Sequence, residues 1–168
     1  MKQVLLSFLF SAFLFFVQAQ ETKPSKEVTQ KFLSKILSQV VGNLPWEGAP
    51  QPIQKQVLNM DFTNYTMQTQ SDETYKRTEF INIPWEDITT LDVTTNRIVS
   101  WININFKSKM EYRHHCCFVD EDKGVPLTTN YEDQMRIYVL TDNVESCKKA
   151  LLRLSEIAKE ENKDPFKN

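Results

Sequence analysis

Glycine is scarce in this chain, three residues in 168, and loops that cradle phosphate depend on glycine for close backbone approach. No GxSxG elbow and no Gly-rich loop occurs, so hydrolysis from a nucleophile elbow and the common modes of nucleotide binding find no support. An excess of charge of one sign is lacking as well. Twenty Lys and Arg stand against 22 Asp and Glu, a net charge of −2. The basic residues do not gather into the clustered face that marks a nucleic-acid partner. Cysteine and histidine are few, three and two, and no CxxC pair with metal-site spacing is formed. Beyond the first twenty residues, no apolar run approaches the roughly 20 residues of a membrane helix.

Those first twenty, MKQVLLSFLFSAFLFFVQAQ, carry the strongest local signal. Lys2 supplies a positive start, Val4 to Val17 is a polar-poor run, and Val17 and Ala19 occupy the −3 and −1 positions of a signal-peptidase site. The pattern predicts a signal peptide over Met1–Ala19, cleaved between Ala19 and Gln20, and a secreted or periplasmic product. No cysteine follows the run, so a lipoprotein route is not indicated. The remaining chain, 20–168, has the length of one domain with its own core.

From Ser25 the segment SKEVTQKFLSKILSQVVGN places Val28, Phe32, Ile36 and Val40 at four-residue spacing, widened by Leu33, Leu37 and Val41. This predicts an amphipathic helix over 25–42, capped by the Ser25 hydroxyl and stopped at Gly42-Asn43. Residues 43–55 hold LPWEGAPQPIQ, a Pro-rich stretch that reads as a connector. Over 56–140 six runs are rich in Thr, Val, Ile, Tyr or Phe: DFTNYTMQTQ, YKRTEFINI, ITTLDVTT, IVSWININFKSK, EYRHHCCFV and QMRIYVL. Brief links between them imply antiparallel meander pairing. In the fourth run Ile98, Ile102, Ile104 and Phe106 are expected to face a core, with Val99, Trp101, Asn103 and Asn105 opposite and Ser100 interrupting the inward set. A second helix is expected over 142–161. Asp142 and Glu145 have capping-box spacing there, and Val144, Cys147, Leu151, Leu154 and Ala158 form an apolar stripe. The tail, 162–168, is expected to fray.

The stretch RHHCCF, Arg113 to Phe118, holds both histidines and two of the cysteines. On a strand, Tyr112, His114, Cys116 and Phe118 share one face, while Arg113, His115, Cys117 and Val119 share the other. The four ligand types therefore split into two pairs instead of converging as a tetrahedral zinc site requires, and no metal or other cofactor is expected. A metal- or thiol-dependent alternative would combine His114 and Cys116 with Cys147 of the last helix. Cys147, on the inward stripe, is also a candidate disulfide partner for Cys116 or Cys117, a bridge worth about 3 to 4 kcal/mol on the chain-entropy estimate. No strained turn or helix N-terminus presents a thiol for Cys–His nucleophilic catalysis, so no catalytic residue is assigned. Asp120 to Gly124, DEDKG, begins like a calcium loop, but the twelfth position from Asp120 is Tyr131 instead of the bidentate Glu that an EF-hand needs. Trp46 and Trp85 each follow a proline near a loop and are candidates for anchoring a partner.

Strands in succession followed by one amphipathic helix, from about Asn59 to Glu161, resemble pleckstrin-homology-like domains. In that family the helix plugs one end of a bent, nearly closed antiparallel barrel of seven strands. The segment IPWEDITTLDV is similar to the one that enters an early strand in bacterial members, and the VQAQ cleavage region resembles those of small exported bacterial proteins of unassigned role. The resemblance implies a binding or scaffolding domain without catalysis. It brings no lipid-phosphate site, because Lys76 and Arg77 are not accompanied by a K-x-R cluster. The expected fold is α+β: an antiparallel meander sheet or partly closed barrel of six to seven strands, with an N-terminal helix and a C-terminal capping helix. The expected function is that of an exported, soluble, non-enzymatic domain. It would bind a protein or a small apolar ligand at an exposed strand edge or at the barrel's open end.

Overall fold

The computed structural model of the chain describes residues 23–72, 74–118 and 128–163. The expected leader, the Asp120–Gly124 loop, Val119 and the last five residues lie outside these. Helix α1 spans Lys26–Ser38, and the Ser25 hydroxyl accepts a hydrogen bond from the Val28 N–H at 3.3 Å. The chain then passes through turns to Gly42, whose φ of 88° suits a residue without Cβ. Six strands follow: β1 Ile53–Leu58, β2 Asn64–Gln70, β3 Thr74–Ile81, β4 Ile88–Thr94, β5 Val99–Phe118 and β6 Thr128–Leu140. A 3-10 turn, Trp85–Asp87, joins β3 to β4; a second, Thr141–Asn143, leads into helix α2, Val144–Asn162. None of the described helices is long and apolar enough to cross a membrane.

The strand number matches the expectation through two compensating differences. β1 begins inside the segment read as a connector. The runs IVSWININFKSK and EYRHHCCFV are one strand, the twenty-residue β5. Residues 111–118 of β5 pair with β3 and residues 101–106 with β4, while β6 runs along the other edge. β3 and β4 thus lie end to end beside a single long strand. Between Asn105 and Met110 the β5–β6 register slips, and Lys107, Ser108 and Lys109 are exposed. The Ser108 hydroxyl donates to the Asp87 carboxylate of the 3-10 turn. Extra residues on one strand of a pair bend it and increase its twist, and here the bend curls the antiparallel sheet into a half-barrel.

α2 buries Val144, Cys147, Ala150, Leu151 and Leu154 in one core cluster with Ile102, Ile104, Met135, Ile137 and Val139 of the sheet, and Ile157 is buried as well. Its first turn departs from the expected capping box. The cap residue is Asn143, without a side-chain cap bond, because Asp142 already belongs to the 3-10 turn. Ile98 also differs: it is 60% exposed and precedes β5, and the inward place is taken by Ser100 at 0%. The Ser100 hydroxyl accepts from the Asn96 N–H and meets the Thr141 hydroxyl at 2.9 Å, so the buried oxygen is satisfied. On α1 the buried residues are Thr29, Leu33, Ile36 and Leu37, and Val28 and Phe32 are 57% and 38% exposed. The helix is rotated by about one residue from the expected stripe, because it packs against β1, β6 and α2 together.

Candidate functional site

On the RHHCCF strand, His114, His115 and Cys116 sit in different environments. His115, opposite Arg77 of β3, is 2% exposed. Its Nε2 lies 3.2 Å from Glu79 Oε2, and its Nδ1 lies 3.4 Å from an Arg77 guanidinium nitrogen. Arg77 Nε approaches Glu79 Oε1 to 3.2 Å but is not aligned as a hydrogen bond. Arg77, Glu79 and His115 thus form one polar cluster across two strands. His114, opposite Thr78 and Thr128, has a buried Nδ1 without a hydrogen bond. Burial first, then the Lys76 and His115 charges, lowers its pKa. Cys116 is half-buried opposite Lys76. Among the described residues no three His, Cys, Asp or Glu side chains gather closely enough to hold a metal.

Cys147 sits far from this strand end. It is a free thiol, fully buried in the core, so the bridge expected from it to Cys116 or Cys117 is not formed. Cys147 belongs to the same core cluster as Tyr65. Tyr65 is level with Phe80 and Tyr112 across the sheet. Cys116 is four residues beyond Tyr112, about 13 Å along a strand. Desolvation pushes the Cys147 thiol up to about 12. At pH 8 about one molecule in ten thousand would carry the nucleophilic thiolate. Cys147 is therefore expected to resist a thiol-specific disulfide reagent in the native protein and to react at once in denaturant. Peptide mapping of the labelled cysteines measures this. Labelling of native Cys147 as fast as of a small-molecule thiol would contradict the packing.

The two candidate anchors divide. Trp85 is 6% exposed; its indole N–H donates to the Phe62 carbonyl, and its ring meets Phe106 edge-on at 6.2 Å. It completes the core. Trp46 is 43% exposed and lines, with Leu44 and Ile98, a shallow cleft of about 240 Å³ between two loops.

A third feature has no local signature in the sequence. The curl of the sheet brings β1 round toward β6, and Gln56 spans the two, only 4% exposed. Its Oε1 accepts from the Tyr138 N–H at 2.8 Å and the Tyr65 hydroxyl at 2.7 Å. Its Nε2 donates to the Tyr138 carbonyl at 2.7 Å and to the Leu37 carbonyl at 3.2 Å. The carboxamide thus meets both backbone groups of Tyr138, as the next strand of a closed barrel would. Beside this staple a cleft of about 230 Å³ opens, lined by Tyr65, Met67, Thr78 and Phe80 on one side and Asn103, Gln134, Arg136 and Tyr138 on the other. Its second wall is pre-ordered. Asn103 Oδ1 accepts from Arg136 Nε at 2.9 Å, Asn105 Oδ1 accepts from Gln134 Nε2 at 2.7 Å, and the Arg136 guanidinium lies 5.3 Å from the Trp101 ring. No family model, curated protein or solved structure matches the chain.

Proposed function

We propose that this protein is an exported, non-catalytic domain that binds a partner in the open seam of its half-barrel, between β6 and the β2–β3 face. The leader pattern over Met1–Ala19 supports export, and the strands closed off by a single C-terminal helix support the likeness to pleckstrin-homology-like binding domains. The observation that carries the reading is the seam: the Gln56 carboxamide hydrogen-bonds β1 to β6 beside a cleft with an apolar floor and a polar, pre-ordered wall. Binding sites of this kind combine apolar surface with a few placed polar groups. The arrangement offers shape and hydrogen bonding without a nucleophile beside a base. The metal- or thiol-dependent alternative draws no support from the placement of Cys147, buried away from His114 and Cys116.

The test is a methyl and amide chemical-shift titration with two probes, an indole fragment and a short extended peptide. The Met67 methyl and the Tyr138 amide are expected to move together on addition of at least one of them. Shifts confined to the Trp46–Leu44–Ile98 cleft, or none at all, would overturn the assignment of the seam as the site.

A further inference from the structure

Resting on the seam as the binding site, we infer that its occupant is an extended polypeptide that adds as a strand to the free edge of β6. The reasoning starts from hydrogen-bond direction. The N–H and C=O of Tyr138 leave β6 on the side away from β5, since both bond to Gln56. Along an antiparallel strand these directions alternate from residue to residue. The backbone groups of Arg136 and Gln134 therefore leave on the same side as those of Tyr138. Among the described residues no strand lies beside them there, because β6 pairs with β5 alone.

Cross-strand side chains agree with this phase. Residues opposite each other in a non-hydrogen-bonded pair approach more closely, and the side-chain bonds Asn103–Arg136 and Asn105–Gln134 fall at such pairs. The edge thus offers alternating donors and acceptors at strand spacing, the complement of a peptide backbone. Gln56 shows that complement already in place for one residue: a primary carboxamide presents the same donor and acceptor as a peptide bond.

The cleft restricts what can approach. Its far wall is the β2–β3 face, so a second folded sheet edge, with neighbours of its own, would meet Met67 and Phe80 before reaching β6. A single chain fits. Side chains on one face of the added strand would rest on Met67 and Phe80, and those on the other would reach solvent. The preferred segment alternates apolar and polar residues. An extended segment is thereby favoured over a compact apolar molecule, which would leave the β6 donors and acceptors unused.

The probe is an acetylated, amidated heptapeptide of sequence lysine-threonine-valine-threonine-valine-threonine-lysine. Binding is expected to shift the Met67 methyl and to slow amide exchange at Gln134 and Arg136. Arg136→Pro removes an N–H that the β5 ladder does not use and is expected to weaken binding by at least about tenfold. The same loss is expected for the native protein with a peptide N-methylated on the amides that face β6, a measurement independent of how the variant folds. Peptide binding with a Met67 shift but without exchange protection, and with unchanged affinity for the N-methylated peptide, would overturn strand addition while leaving the seam as the site. Displacement of the heptapeptide by the indole fragment with no protected β6 amide in either complex would likewise overturn it. A seam that neither probe perturbs removes the premise and the inference together.

Discussion

Replacing Gln56 with leucine is expected to destabilise the protein by roughly 3 to 6 kcal/mol, because a buried polar group deprived of its partner costs about 1 to 3 kcal/mol. The substitution leaves several such groups in place: the Tyr138 N–H and C=O, the Leu37 C=O and the Tyr65 hydroxyl. Tyr65 is 1% exposed, so water cannot take over at its hydroxyl without opening the core. Leucine gains apolar burial, but the gain from one such side chain is about 2 kcal/mol at most and is smaller here, where the aliphatic part of glutamine is already buried. Against a total of about 5 to 15 kcal/mol for a domain, the loss is a large fraction. Urea unfolding followed by circular dichroism measures it, and a loss under about 1 kcal/mol would show that the staple holds nothing together.

Gln56→Glu sharpens the test. A carboxylate can still accept from the Tyr138 N–H and the Tyr65 hydroxyl, but it faces the Leu37 and Tyr138 carbonyl oxygens with no proton to offer. Burial beside two carbonyls raises the folded-state pKa of such a group above its unfolded value of about 4.3. The protonated form then contributes stability that is present below that unfolded value and is lost as pH rises through the folded one. The variant is therefore expected to unfold more readily at pH 7 than at pH 4 relative to the parent chain.

Gln56 also marks where the sequence stops being informative. Its partner Tyr138 is 82 residues away, and nothing in IQKQVL distinguishes this glutamine from Gln54, which is exposed. Local periodicity sufficed for α2, where Val144, Cys147, Leu151 and Leu154 fall on one side whatever they pack against. It failed by one residue on α1. There Val28–Phe32 and Thr29–Leu33 are adjacent stripes of similar spacing, and only the position of β1, β6 and α2 decides which is buried. The break read at Met110, between the runs ending at Lys109 and beginning at Glu111, lies beside three exposed residues, Lys107 to Lys109, but these form a bend within β5, held by Ser108 and Asp87. The separation of His114 from His115 followed from strand alternation alone. The expected Cys147 disulfide, by contrast, required knowing how far along β5 the helix packs.

The two proline-flanked tryptophans make the same point with a measurable difference. Trp85→Ala is expected to lower stability by about 3 to 5 kcal/mol, the range for removing a large buried aromatic, whereas Trp46→Ala should stay within about 0.5 kcal/mol of the parent. Trp85 packs on Phe106 and satisfies the carbonyl of Phe62. Phe62 itself is held at φ 59°, a left-handed conformation that a bulky side chain adopts only when its surroundings enforce it. Alanine at position 85 therefore empties part of the core and orphans the Phe62 carbonyl, which adds to the cavity term, while any relaxation of Phe62 offsets part of the loss. Paired urea titrations of the two variants, with circular dichroism as the common probe because tryptophan fluorescence changes with the substitution itself, read the contrast directly. Equal midpoints would mean that Trp85 is no more anchored than Trp46. The 3-10 turn that places Asp87 against Ser108 would then lose its buttress, and with it the bend that brings β1 round to β6.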